Sequence, residues 1–336
     1  MSLLNLTGAA ATARKSSPAS TPANDASQVA ARTDTADLAA RLHSMFGSRF
    51  ELLRPIAIGG MATIFQMRHR MHNGLFVAKV LHPELVDKPG IVAGFRLEAT
   101  HAARLGNHPN AVPVFDFGEL DGLFFLLMPY IDGADLDRIL LKAGPFSRDE
   151  TLNLAAQVNS LLCHAEACGI VHGDLTPGNI RLDVYGHYRL LDLGISQATG
   201  VQTRPYTGGT PLYSSPEQTA GGPLDVRSDL YSLGAVLCEC LQGTPVFLDS
   251  TLEKIQQRHR SGTWQMPTAL KDGDPLARLL TMLLSTDPTA RPASAYELSG
   301  ILDALGWARP EFRPGPVDKR PFLHAPEAPT RKRLTR

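Results

Sequence analysis

The chain of 336 residues has few cysteines and no long apolar run. Its four cysteines are Cys163, Cys168, Cys238 and Cys240, and no two of them form a Cys-x-x-Cys pair. We therefore expect buried free thiols in a reducing compartment, rather than a zinc site or a disulfide framework. Because no stretch of about 18 apolar residues occurs, no transmembrane helix is predicted.

Excess charge and leader signals are also missing. Lys plus Arg and Asp plus Glu both total 33, so the net charge points to neither nucleic acid nor a membrane surface as a partner. The opening MSLLNLTGAAATA lacks the positive n-region and the apolar h-region of a secretory signal. With 43% hydrophobic and 20% charged residues, the composition is that of a globular protein with a sizeable core. We expect a cytoplasmic protein that binds no nucleic acid, of undetermined oligomeric state.

Two tails flank the predicted folded region. Residues 1–48 begin rich in Ala, Ser, Thr and Pro, and we predict a disordered tail that ends in a short amphipathic helix. Leu38, Leu42 and Phe46 share one face of that helix. Residues 309–336 hold six prolines and eight Lys or Arg against three Asp or Glu, which predicts a basic, Pro-rich disordered tail.

Between the tails, the pattern changes from strand to helix. Five apolar or alternating segments predict strands, namely ELLRPIAI, ATIFQMRHR, LFVAKVL, AVPVFDFGE and LFFLLMPY. One helix, GIVAGFRLEATHAARLG, interrupts them, and a later helix opens with a capping box formed by Ser147 and Glu150. The sequence thus predicts an α+β fold with a β-rich lobe at 49–131 and a mainly helical lobe at 132–308.

Several residues of the β-rich part have the chemistry to handle a phosphate group. Gly59 and Gly60 lie between two predicted strands, where a hairpin can offer backbone N–H groups to an anion. Lys79 lies inside an apolar strand and needs an anionic partner, which Glu98 on the following helix can provide. Taken alone, a Gly-Gly pair is more often a plain turn.

The segment HGDLTPGN, followed by YRLLDLG, adds a second set of such residues. Asp174 and Asn179 are five residues apart, and Asp192 follows a strand-like run. Phosphoryl transfer needs a carboxylate that orients the attacking hydroxyl and oxygen ligands for Mg²⁺. Asp174 suits the first task, while Asn179 and Asp192 suit the second. Each of these residues alone would be an ordinary turn residue.

Over about residues 50 to 305, the chain resembles the eukaryotic-type Ser/Thr protein kinases of bacteria. AIGGMATI is similar to their Gly-rich loop, FVAKVL to their third-strand Lys motif, HGDLTPGN to their catalytic loop and DLG to their metal-binding triplet. GGTPLYSSPEQ resembles the end of the activation segment, and SDLYSLG, with Asp229, resembles the motif of a central helix. Arg291 in DPTARPAS resembles the buried Arg that pairs with Glu217.

The resemblance implies a bilobal kinase fold that uses ATP and Mg²⁺ or Mn²⁺ to phosphorylate Ser/Thr residues of a protein substrate. The implied catalytic residues are Lys79, Glu98, Asp174 and Asn179, and the implied metal ligands are Asn179 and Asp192. The implied nucleotide-binding residues are Ala57, Ile58, Gly59, Gly60, Met61, Ile64, Ala78, Lys79, Met128, Pro129, Ile131, Arg181 and Asp192. Asp229 is expected to hold the catalytic loop from below.

Three of the departures from the family pattern bear most on activity. Gly173 replaces the Arg that receives an activation-loop phosphate, so we predict a non-RD enzyme not gated by that contact. Thr203, Thr207 and Thr210 remain candidate phosphosites. Thr176 replaces a Lys that reaches the γ-phosphate, a loss of about 10²-fold in rate. Arg181 replaces an apolar adenine floor, and its guanidinium can stack on the base or swing away.

Two alternatives compete with a signalling protein kinase. Aminoglycoside and choline phosphotransferases also carry His-Gly-Asp with an Asn five residues after the Asp, so HGDLTPGN alone fits such small-molecule kinases better. The combination of SSPEQ, Asp229 and Arg291 favours the protein kinases instead. The departures also allow a pseudokinase scaffold that binds nucleotide without efficient transfer.

Overall fold

The computed structural model describes residues 35–106, 108–192, 211–271, 273–307 and 330–331. Residues 1–34 and most of 309–336, the segments predicted to be disordered, lie outside the described residues. So do Leu193 of the DLG triplet and the candidate phosphosites Thr203, Thr207 and Thr210. No helix in the described ranges is long and apolar enough to cross a bilayer.

The first lobe is an antiparallel sheet of five strands with one long helix. The strands are β1 (Phe50–Ile58), β2 (Ala62–His69), β3 (Leu75–Leu81), β4 (Asp116–Leu120) and β5 (Leu123–Pro129). They lie in the order β4-β5-β3-β2-β1, and helix α2 (Pro89–Leu105) follows β3. The predicted strand AVPVFDFGE is shorter than expected and begins only at Asp116. Ala111 forms instead an isolated bridge to Leu190 of the other lobe. Pro113, which lies between Ala111 and the start of β4, has no N–H to donate to a strand partner.

A helix at residues 35–46, α1, covers one face of this sheet. Leu38, Leu42 and Phe46 are at most 8% exposed and pack with Phe50 and Phe125. The Phe46 and Phe125 rings meet edge to face at 4.9 Å between centroids. The folded unit therefore begins by residue 35 rather than at 49, because this helix is part of the core of the β-rich lobe.

The second lobe is mainly helical. Its helices are α3 (Leu136–Ala143), α4 (Arg148–Ala167), α5 (Pro216–Thr219), α6 (Val226–Gln242), α7 (Leu252–Ser261), α8 (Pro275–Leu283) and α9 (Ala295–Ala304). A small sheet of β6 (Gly133–Asp135), β7 (Ile180–Asp183) and β8 (Tyr188–Leu190) lies beneath the junction with the first lobe. The predicted capping box is confirmed at α4, where Ser147 accepts from the Glu150 N–H and the Glu150 carboxylate accepts from the Ser147 N–H.

Helix α6 runs through the centre of this lobe. Fifteen of its 17 residues are buried, among them Asp229, Cys238 and Cys240. Asp225 caps its N-terminus, and Gly243 in the left-handed conformation ends it. All four cysteines are free; Cys238 and Cys240 are buried, whereas Cys163 and Cys168 are only partly so.

A short strand from the C-terminal segment joins the first sheet. Thr330–Arg331, β9, pairs in parallel with Ala57 and Ile58 of β1. This pairing departs from the expected tail without regular structure, and it lies at the end of β1 that leads into the predicted phosphate loop.

Candidate active site

Strand alternation decides which predicted residues face the cleft between the lobes. Ala57 pairs with Ile64 across β1 and β2, and Ile64 pairs with Lys79 across β2 and β3. Directly opposed residues of paired strands point to the same face of a sheet, so these three side chains form one row. The Gly59–Gly60 turn closes the same hairpin, and Gly59 N–H donates to the Ala62 carbonyl at 2.9 Å.

Ala78 points away from this row. Its side chain is fully buried with Phe125 and Leu127 on the α1 side of the sheet. A side-chain contact between Ala78 and a nucleotide therefore has no support from the geometry. Val77, two residues before Lys79, shares the Lys79 face and pairs with Met128. The two-residue period of the strand would have identified Val77.

Lys79 is the centre of a buried ionic triad. Its Nζ lies 2.5 Å from Oε1 of Glu98 on α2 and 3.0 Å from Oδ1 of Asp192, which follows β8. Burial alone would lower the pKa of Lys79, but attraction to Asp192 and Glu98 and hydrogen bonds to both raise it above its ordinary value. The ammonium thus stays charged and joins both lobes. Asp192 adopts a left-handed backbone at φ 53°, which aims its carboxylate at the cleft.

The loop of the HGDLTPGN segment is held in place by Asp229. The N–H groups of His172 and Gly173 each donate to one carboxylate oxygen of Asp229, both at 2.8 Å. The carbonyl of Gly173 accepts from the Gln218 side chain at 2.6 Å, a contact that sequence reasoning missed because no local pattern marks it. Gly173 has φ 71°, the left-handed region where glycine is favoured. Burial lowers the pKa of His172 to about 4, so this imidazole is neutral near pH 7.

Asp174 and Asn179 are joined by this loop. The Asn179 side-chain NH₂ donates to the Asp174 carbonyl at 2.8 Å and to its carboxylate at 2.9 Å. The Asn179 amide oxygen therefore points away from Asp174. The Leu191 N–H donates to the Asn179 carbonyl at 2.8 Å, which brings Asp192 alongside. Side-chain oxygens of Asn179 and Asp192 are the ligand type that a hard cation such as Mg²⁺ or Mn²⁺ takes, so the residues present fit that metal.

A shallow hollow opens beside Asp174. Its walls include Thr176, Tyr213 and Ser214, and Ser232 lies behind them. Tyr213 is fixed by a 2.5 Å hydrogen bond to the buried Glu239 carboxylate.

Glu217 and Arg291 form the buried ion pair expected from the sequence. Arg291 Nη1 and Nη2 contact the two carboxylate oxygens at 2.7 and 2.9 Å, and the Arg291 side chain is fully buried. Burial would raise the pKa of Glu217, but the hydrogen bonds and charge of Arg291 lower it below its ordinary value. Glu217 also accepts from Ser228 Oγ at 2.7 Å, so it ties α5 to α6.

Arg181 points away from the cleft toward residues 129–135, the linker between the lobes. Its Nε donates to the Ile131 carbonyl at 2.8 Å, and Nη1 lies 2.6 Å from Oδ1 of Asp135. Only 8% of its side chain is exposed, which leaves little guanidinium surface for a base to stack on. The sequence left two orientations open for the guanidinium, stacked on the base or turned away from it. The structure shows it turned away. Asp135 was missed because its pairing depends on strand register.

Comparison with known proteins finds relatives over most of the chain. The profile described as "Protein kinase domain" matches residues 50–299. The serine/threonine-protein kinase pkn3 of Myxococcus xanthus is 34% identical over 266 residues, 74% of this chain and 48% of pkn3. PknH of Mycobacterium bovis is 32% identical over 77% of this chain and 44% of PknH, and PrkC of Bacillus subtilis 30% over 76% and 40%. The chain thus spans less than half the length of these relatives.

Proposed function

The chain belongs to the protein kinase domain family, and on that premise we propose that it transfers the γ-phosphoryl group of ATP to Ser/Thr hydroxyls of protein substrates. The observation that carries the proposal is the meeting of Lys79, Glu98 and Asp192 with the Asp174–Asn179 pair in one cleft. The similar proteins named above are serine/threonine-protein kinases, which supports this acceptor class over a small molecule.

Each residue of the cleft has a role that its geometry supports. Lys79, kept charged and oriented by Glu98, would bind the α- and β-phosphates. Asp174, oriented by the Asn179 NH₂, would accept the proton of the attacking hydroxyl. Asn179 and Asp192 would hold Mg²⁺, which supplies positive charge to the phosphate oxygens when bound. The Gly59–Gly60 turn would cover the phosphates with backbone N–H groups.

The departures from the family pattern set the expected rate and regulation. Because Gly173 carries no side chain, it cannot bind an activation-loop phosphate, so we propose a non-RD enzyme whose activity is independent of that contact. Thr176 lacks the positive charge of Lys, so transfer is expected to be about 10²-fold slower than in a Lys-bearing relative. A signalling role and a cytoplasmic location remain predictions.

The decisive experiment measures phosphate transfer to a general Ser/Thr protein substrate with Mg-ATP. Wild type is compared with Asp174→Asn and Lys79→Met, and with Asp303→Asn, an exposed carboxylate on α9, as the matched control. We expect transfer by wild type and Asp303→Asn and its loss in the other two. Undiminished transfer by Lys79→Met would refute the site assignment.

The pseudokinase alternative gives a different outcome in the same assay. If wild type shows ATP-dependent thermal stabilisation but no transfer to any Ser/Thr substrate, the chain is a nucleotide-binding scaffold. Thr176 is the feature that favours a pseudokinase, because position 176 then provides no cation near the transferring phosphate. Restoring it as Thr176→Lys would then raise transfer above background.

A further inference from the structure

Arg181 anchors the linker between the lobes from beneath. Its neighbours on β7, Ile180 and Leu182, are fully buried in the core of the helical lobe, and strand alternation therefore directs Arg181 to the opposite face. Three hydrogen bonds run from its guanidinium to the linker. They reach the Ile131 carbonyl at 2.8 Å, the Gly133 carbonyl at 2.8 Å and the Asp135 carboxylate at 2.6 Å.

Strand register makes this arrangement rigid. Asp135 lies directly opposite Arg181 in the β6–β7 pair, and the guanidinium also lies 5.7 Å from the centre of the Tyr130 ring. Gly133, at φ 153°, lies so close to β7 that a Cβ there would be 2.0 Å from the Leu182 carbonyl oxygen. The planar, five-donor guanidinium matches these spread acceptors, whereas a Lys ammonium offers donors at only one point.

The linker peptide before Ile131 is held from both sides. The Tyr130 N–H donates to the Leu75 carbonyl at 2.9 Å in the β-rich lobe, while the Ile131 carbonyl accepts from Arg181 in the helical lobe. The Ile131 N–H lies between these two anchored groups, the Tyr130 N–H and the Ile131 carbonyl. Pro129 has no N–H and can offer only its carbonyl at the cleft edge. The linker thus presents an acceptor at Pro129 and a donor at Ile131 in one fixed order.

That order distinguishes the two purine bases. Adenine carries an amino donor on its six-position beside a ring-nitrogen acceptor, whereas guanine has an oxygen acceptor beside an N–H donor. A rigid carbonyl followed by a rigid N–H is complementary to adenine and mismatched to guanine at both atoms. A linker free to shift can reduce the mismatch, because specificity of this kind depends on donors and acceptors that cannot rearrange.

We propose that Arg181 sets the base selectivity of this cleft: by pinning the linker at Ile131, Gly133 and Asp135, it keeps the site selective for an adenine over a guanine nucleotide. The inference rests on the proposed function, in that the cleft is taken to bind a nucleoside triphosphate. Arg181 acts through the linker and is a positioning residue.

The experiment measures dissociation constants of Mg-ATP and Mg-GTP by calorimetry for the full chain, with no phosphate transfer required. We expect wild type to bind ATP about 100-fold more tightly than GTP, the effect of two mismatched hydrogen bonds. In Arg181→Leu the ratio should shrink about tenfold, mainly because a linker free to shift binds GTP with less mismatch. Asp135→Asn, which keeps an acceptor but removes the charge, should shift the ratio in the same direction by about threefold.

Arg189→Leu is the matched control. Arg189 lies opposite Arg181 in the β7–β8 pair and forms a similar ion pair with Asp183 at 3.0 Å, but its hydrogen bonds go to Asp183 and Ala111 rather than to the linker. Its ATP-to-GTP ratio should match wild type. An unchanged ratio in Arg181→Leu, or an equal change in Arg189→Leu, overturns this inference but leaves the proposed function standing. If Arg181→Leu does not fold, Asp135→Asn decides in the same way. Absence of ATP binding to wild type overturns the proposed function and this inference with it.

Discussion

Shortening Leu42 to alanine should destabilise the β-rich lobe strongly, although residue 42 precedes the segment matched by the kinase family profile. Leu42 is 1% exposed and packs in the cluster that contains Phe46, Phe50 and Phe125. Truncating a fully buried Leu costs about 3 kcal/mol, from lost transfer energy and the cavity left behind. For a folded region of about 270 residues, that corresponds to a drop in Tm of roughly 5 °C.

The assay is thermal unfolding of wild type, Leu42→Ala and Leu141→Ala by far-UV circular dichroism. Leu141 is 85% exposed on α3, so its truncation is the control and should change Tm by about 1 °C or less. Trp264 and Trp307 both lie in the helical lobe, and their fluorescence therefore monitors that lobe separately. If the unfolding free energy of Leu42→Ala lies within about 0.5 kcal/mol of the wild-type value, then α1 is not part of the folded core, and the packing argument fails.

Three further perturbations test the framework of the site. Arg291→Ala should lower the unfolding free energy by about 3–5 kcal/mol, because it leaves the Glu217 carboxylate without its bidentate partner; urea denaturation measures this. Gly173→Ala should cost about 1 kcal/mol, since φ 71° is strained for a residue with a Cβ, and a Tm equal to wild type would argue against that backbone. Burial lowers the pKa values of His172 and His259 to about 4, so protonation favours the unfolded chain. Stability should be fully present above about pH 6.5 and fall as the pH drops toward 4, which a pH series of Tm values measures.

The sequence was most informative where a residue contradicts its local surroundings. A charged Lys79 in an apolar strand predicted an anionic partner, and the structure places the carboxylates of Glu98 and Asp192 within 3.0 Å of its Nζ. The capping box of α4 could be predicted because its two residues are close in sequence. Such signals are local, or they involve a group whose burial is costly unless it is paired.

What the sequence did not predict depends on register and on long-range packing. Ala78 was among the nucleotide-binding residues implied by the family resemblance, whereas the pleat sends its side chain to the α1 face. Asp135 pairs with Arg181 only because β6 and β7 align those two residues. Gln218 reaches the Gly173 carbonyl from 45 positions away. No pattern of fewer than ten residues encodes any of these contacts.

Two of the three departures at positions 173, 176 and 181 are locally compensated. Glycine at 173 removes a side chain from a left-handed position, and the two backbone bonds that anchor the loop, to Asp229 and Gln218, need no side chain there. The charge of Arg181 is matched by Asp135 and by linker carbonyls, so the cation is buried without loss of its partners. Thr176 differs from the other two, because within the described ranges no hydrogen bond or ion pair of its side chain brings in a cation to replace the lysine. Loop stability and linker geometry are therefore expected to survive all three changes, and any deficit in catalysis should trace to position 176 and be recovered there by lysine.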